Sequence, residues 1–121
     1  MTMLVYFVLA SAAGAVLRYL ADLYLPRRGI LLVNVIGSAI AGVVTGLGWE
    51  QVIDERVALI LLGGFAGSLT TYSTVALTTA QQSVERPGKA IMTWLQHVGL
   101  SILVCYLGFI AVISLISVTT P

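Results

Sequence analysis

Charge is confined to a few short stretches of this chain, and the runs between them are each long and apolar enough to cross a lipid bilayer. The hydrocarbon core is about 30 Å thick and takes roughly 20 helical residues to span. Residues 1–25 form the first run, with Arg18 and Asp22 as its only charges, and it ends at Pro26-Arg27-Arg28. Gly29 to Trp49 is the second, 21 residues without a charge. The polar link from Glu50 to Arg56 precedes a third, Val57 to Val84, of 28 uncharged residues. Glu85-Arg86-Pro87-Gly88-Lys89 then opens a fourth, residues 90–118. Inside a bilayer the backbone must satisfy its own hydrogen bonds, so four transmembrane helices are expected. They consume almost all of residues 1–121, which are read as a single all-α membrane domain. The first run is longer and more polar at its end than the apolar stretch of about 7–15 residues in a cleaved signal peptide.

Composition narrows the function classes. With 59% hydrophobic and 9% charged residues and a mean hydropathy of +1.03, the chain is not a soluble enzyme. A net charge of +1 leaves no basic surface for nucleic acid, and the single Cys105 makes neither an internal disulfide nor a cysteine metal site by itself. No GxxxxGK[ST] run is present, so an ATP-driven pump is not indicated. Links one and three carry Arg27, Arg28, Arg86 and Lys89, whereas link two carries only Arg56. That asymmetry predicts links one and three on the cytoplasmic side and both termini outside. Four helices alone fill the space between them with their own side chains, so a conduction path calls for an oligomer.

Three patterns carry polar chemistry into the apolar spans. In the second, Asn34, Ser38, Gly42 and Gly46 recur every four residues, a stripe of small residues suited to close helix contact. Asn34 stands apart, because an amide at membrane depth is costly without a partner. In the third, Gly63-Gly64-Phe65-Ala66-Gly67-Ser68-Leu69-Thr70-Thr71-Tyr72-Ser73-Thr74-Val75 is poor material for a continuous helix, and a break is expected from Gly67 to Thr70. Broken membrane helices use freed carbonyls to hold cations and helix N-termini to attract anions, although a plain glycine packing face is the alternative. In the fourth, Thr93, His97, Ser101 and Cys105 fall four residues apart and make one polar line. Serines in membrane helices also bond their own backbone, and a lone histidine is commonly packed; the regular ladder favours a track. Asn34, Thr71, Tyr72, Ser73 and the ladder suit a small, strongly hydrated anion, and equally water or a cation through the hydroxyl oxygens.

The run Gly64 to Thr74 closely resembles the GFxGGxTTFSTF signature of the Fluc (CrcB) fluoride channels. Gly14-Ala15-Val16-Leu17-Arg18-Tyr19 is similar to that family's GxxxR[YW] element, and Asn34-Val35-Ile36-Gly37 to its N-x-x-G. Length, four spans and motif order agree across the chain. The resemblance implies a passive fluoride channel in the plasma membrane, built as an antiparallel dimer with two fluoride pathways and one structural, non-transported Na⁺ at the centre. It also implies that backbone carbonyls of Gly67 and Thr70 hold the Na⁺. On the same ground Asn34, Tyr72, Thr93, His97 and Ser101 fall on pore positions, and Arg18 on the family arginine. A fixed cation near the path would offset the repulsion an anion meets in low dielectric, while hydroxyls replace its water.

Two departures from the pattern bear on partnership. The family motif has phenylalanines three residues apart, where this chain has Tyr72 and Val75. A subunit that inserts both ways needs balanced links, and this one is biased four to one. A fixed orientation and a related, oppositely oriented partner supplying the missing ring are therefore expected, with a homodimer of altered pores as the other outcome. A four-helix multidrug-type proton-coupled exporter would need a titratable acid at depth, and only Asp22, one turn from Arg18 and expected to pair with it, qualifies. A non-conducting assembly subunit is the third possibility, and Val75 suits it.

Overall fold

The computed structural model describes residues 1–26 and 28–119; Arg27, counted above in the first link, lies outside the described residues. Four helical spans cross the molecule, each long and apolar enough for a membrane. Helix α1 is Thr2–Tyr24 and α2 is Gly29–Trp49. The third span opens with α3 (Glu55–Leu59), where Asp54 caps the first turn by accepting the Arg56 N–H at 2.8 Å. It continues through a π-helical stretch, Ile60–Ala66, and one more turn, α4 (Gly67–Leu69). After an interruption it resumes as α5 (Ser73–Glu85). Helix α6, Pro87–Thr119, has 33 residues. At 1.5 Å per residue it is about 50 Å long, so it outreaches the hydrocarbon core or crosses it tilted.

The interruption opens at Thr70, the far end of the stretch Gly67 to Thr70 where the sequence predicts it. Gly67 keeps right-handed helical angles, φ −64° and ψ −32°. Thr70 is the residue that leaves the helix, at φ −82° and ψ 156°. The glycines upstream, Gly63 and Gly64, lie in the π-helical stretch Ile60–Ala66. What parts the helix is a competing hydrogen-bond partner at Thr71, described below.

The small-residue stripe of α2 works as a close-packing face. A Cβ at Gly42 would collide with the Cys105 carbonyl of α6, and one at Gly46 would crowd Val112 and the Phe109 carbonyl. Helix α1 approaches the third span in the same way, Gly14 resting on the Phe65 carbonyl. Close backbone approach is what holds helices together where lipid is as apolar as the side chains. Gly42→Val should therefore cost about 3 kcal/mol by overpacking, read as a lowered midpoint of thermal unfolding in detergent. The outward faces of α1 and α6 carry exposed apolar residues such as Leu9, Leu17, Leu103 and Leu107.

Helix α2 ends in a Schellman turn: the Gln51 N–H reaches the Gly48 carbonyl at 3.1 Å and the Val52 N–H the Leu47 carbonyl at 2.9 Å. Gln51 holds the left-handed position with φ 55°. Glycine adopts that conformation without Cβ strain, so Gln51→Gly is expected to stabilise the turn by roughly 1 kcal/mol. Thermal unfolding of the variant beside the parent checks this.

Candidate functional site

Asn34 explains the interruption. Its side chain is buried, 5% exposed, in a face of α2 turned toward the third span. Its Oδ1 accepts the Thr71 N–H at 2.7 Å and its Nδ2 donates to the Thr71 carbonyl at 3.0 Å. One amide thus replaces both main-chain bonds that Thr71 gives up by leaving the helix, which is how an opened backbone survives at membrane depth. In an unbroken helix the Thr71 N–H would bond the Gly67 carbonyl; that carbonyl is released. Arg18 donates from Nη1 to the Thr70 carbonyl at 3.3 Å, and the Thr70 hydroxyl turns back to Ala66 at 2.9 Å. The expected Arg18–Asp22 pair is not made: Arg18 serves Thr70, and Asp22 faces a cavity near the links.

Three cavities follow one another along α6. The end cavity, about 450 Å³, is lined by Asp22, Thr74, Thr78, Gln82, Lys89, Thr93 and His97 among others. A central groove of about 220 Å³ lies between Asn34, Ser38, Thr71, His97 and Ser101. Val75 and His97 line both. Ser38, Ser101 and Ile102 in turn join the central groove to a third space of about 500 Å³ that reaches Cys105 and Phe109. The ladder Thr93, His97, Ser101 and Cys105 therefore borders all three in order. Val75 is 2% exposed and sits where the first two meet, so an apolar side chain separates polar spaces there.

The members of the ladder differ in what they leave free. The Thr93 hydroxyl donates to Gln82 Oε1 at 2.9 Å. His97 Nδ1 lies 3.4 Å from Asn34 Nδ2. Ser101 Oγ is buried and has no protein partner, so a polar atom there awaits a mobile ligand or water. Tyr72 is 64% exposed, its hydroxyl accepting from Trp94 Nε1 at 3.3 Å, and it borders the central groove. Ser73 is exposed and bonds the Thr71 hydroxyl at 3.2 Å without lining that groove. Gly67 is exposed on α4. The fold thus gathers Asn34, Thr70, Thr71, Tyr72, Val75, His97 and Ser101 around one groove, with Thr93 at the neighbouring cavity, Arg18 behind the break, and Ser73 and Gly67 apart.

One element of the site escaped the sequence reading. Thr74, Thr78 and Gln82 stand four residues apart on α5 and face the ladder of α6 across the end cavity. The same four-residue period that exposes the first ladder would have revealed this second one.

Residues 5–109 match the family described as CrcB-like protein, Camphor Resistance (CrcB). The chain is similar to proteins named Fluoride-specific ion channel FluC. It is 35% identical to the one from Shewanella denitrificans, 34% to that of Shewanella frigidimarina and 32% to that of Shewanella halifaxensis. Each similarity covers 89% of this chain and 94% of the relative.

Proposed function

The chain belongs to the CrcB-like family, and from that membership we propose that it is a subunit of a passive fluoride channel, not an enzyme, in the plasma membrane. The observation that carries this reading is the succession of three cavities bordered by the ladder of α6, with the unpaired Ser101 hydroxyl at the junction of two of them. Fluoride sheds water only where several donors replace it together, and the Asn34 amide, the hydroxyls near Thr71 and Ser101 are such donors. A second, antiparallel subunit closes these spaces. The pathway needs no energy source, since the ion moves down its gradient.

The assembly includes a Na⁺ held by the backbone carbonyls of Gly67 and Thr70. Among the described residues no group of three His, Cys, Asp or Glu side chains gathers, so a cation here falls to neutral oxygens, the donors that opened membrane helices offer to Na⁺. The Gly67 carbonyl has lost its helical partner, and the Thr70 carbonyl keeps a second lone pair beside its bond to Arg18. Bound there, the ion supplies a fixed positive charge that favours an anion in low dielectric.

Reconstituted in liposomes, the assembly is expected to release fluoride and retain chloride. Tyr72→Ile should slow fluoride efflux about tenfold, the equivalent of losing roughly 1.4 kcal/mol of contact with the ion in transit. Efflux of both halides at equal rates, or of neither, from liposomes holding this chain and its co-purifying partner would overturn the assignment.

A further inference from the structure

The hydrogen bonds of Asn34 fix the chemistry of its neighbour. Because Oδ1 faces the Thr71 N–H and Nδ2 faces the Thr71 carbonyl, the amide has one orientation and cannot be flipped without losing both. The atom it turns to His97 is therefore an N–H donor, 3.4 Å from Nδ1. His97 Nδ1 must accept, so the ring is neutral with its proton on Nε2. A second proton on the ring would set donor against donor, and the only thing that satisfies both is an acceptor placed between them.

We propose that Asn34 and His97 form a proton-dependent fluoride subsite: neutral, they bond each other and leave no place for the ion, and with His97 protonated both donate to one fluoride. This rests on the channel reading above and adds to it a ligand geometry and a co-ligand, the proton. The position suits the role. His97 borders both the end cavity and the central groove, at the level where Val75 narrows the way between them. The proton also supplies the charge that a lone anion lacks in this low dielectric. The other titratable and charged groups near these cavities come from α1, α6 and the break in the third span. Lys89 on α6 is a cation and Asp22 of α1 an acid near the links, while Arg18 of α1 is held at the Thr70 carbonyl. Tyr72 borders the central groove, and the lining from α2 and α5 is otherwise neutral.

Linkage gives the sign. If fluoride prefers the protonated ring, binding fluoride holds the proton, and lowering the pH tightens fluoride. His97 is the sole histidine of the chain, so imidazole signals from histidine-labelled protein report it alone. In detergent, the titration midpoint of those signals is expected to rise in sodium fluoride relative to sodium chloride, by about one pH unit for a tenfold preference. In liposomes, the fluoride concentration giving half-maximal efflux should fall about threefold between the two midpoints and approach a roughly tenfold fall from well above to well below them, after subtraction of leak from protein-free vesicles. His97→Gln, which has no ring to take up the proton, should remove the pH dependence of half-saturation. An identical midpoint in both salts, or half-saturation that ignores pH in the parent chain, overturns the subsite. A fluoride-dependent midpoint without any efflux would instead sink the channel reading and leave the subsite standing.

Discussion

Asn34→Leu is expected to abolish fluoride efflux and to lower stability by about 2–4 kcal/mol. The substitution keeps the branching at Cγ, with bulkier methyl groups, and removes an amide whose oxygen and nitrogen are bonded to Thr71 at 2.7 and 3.0 Å. Leucine offers neither, so a main-chain N–H and C=O at membrane depth are left unpaired, at about 1–3 kcal/mol each where they stay dry. The chain has two responses. It can rewind the third span through Thr70–Tyr72, which restores helical bonds and returns the Thr71 N–H to the Gly67 carbonyl, closing off that oxygen. Or it can keep the break and admit water. Either way the groove between Asn34, His97 and Ser101 loses its central donor. Asn34→Asp separates the two roles. Its carboxylate still accepts the Thr71 N–H, but its second oxygen faces the Thr71 carbonyl and repels both that carbonyl and an arriving anion. The fold is expected to suffer less than in the leucine variant while efflux is still lost. Thermal unfolding in detergent and efflux from liposomes measure the two effects; a leucine variant that unfolds and conducts like the parent would refute the account.

The contrast between Asn34 and Gly67 shows what the sequence could and could not say. Charge clusters delimit the spans because a charge at depth is costly whatever the tertiary structure, so the four helices were legible. The polar ladder of α6 was legible for a similar reason, as a fixed period on an apolar background. Low helix propensity places the expected break from Gly67 to Thr70; it opens at the last of these, with Gly67 still helical and Thr70 not. Propensity is local, whereas the interruption is decided by a side chain 37 residues away that outbids the helix for the Thr71 backbone. The same reasoning covers Arg18. Its depth in α1 marked it as unusual, but its partner, the Thr70 carbonyl, exists only because the third span opens there. The π winding of Ile60–Ala66 has no sequence signal of its own. Its two glycines, Gly63 and Gly64, lie against Phe7 and Ala10 of α1.

A cysteine in link two and a cysteine in link three are expected to label from opposite sides of the membrane, each from one side only. With Cys105 replaced by Ala, Gln51→Cys should react with an impermeant reagent from outside and Gly88→Cys only after the cytoplasmic face is opened. The cause is the placement of Arg27, Arg28, Arg86 and Lys89 against the single Arg56, which a membrane reads as orientation. Replacing Arg28, Arg86 and Lys89 by Gln leaves one basic residue on each side, and both cysteines should then label from both faces. The result bears directly on partnership. An antiparallel pair made of one chain requires that chain to insert both ways, so one-sided labelling means that the opposing subunit is a different, related protein. That partner would also bring an aromatic ring to the level where this chain presents only Val75, between the end cavity and the central groove. If the parent chain instead labels from both sides, and purified alone passes fluoride as a dimer, then Val75 and Tyr72 line both pathways. The bore at that level must in that case be wider and less aromatic than in channels whose motif carries two phenylalanines. Labelling of the parent chain from a single face, together with no efflux from the chain purified alone, is the outcome expected from the four-to-one asymmetry of its links.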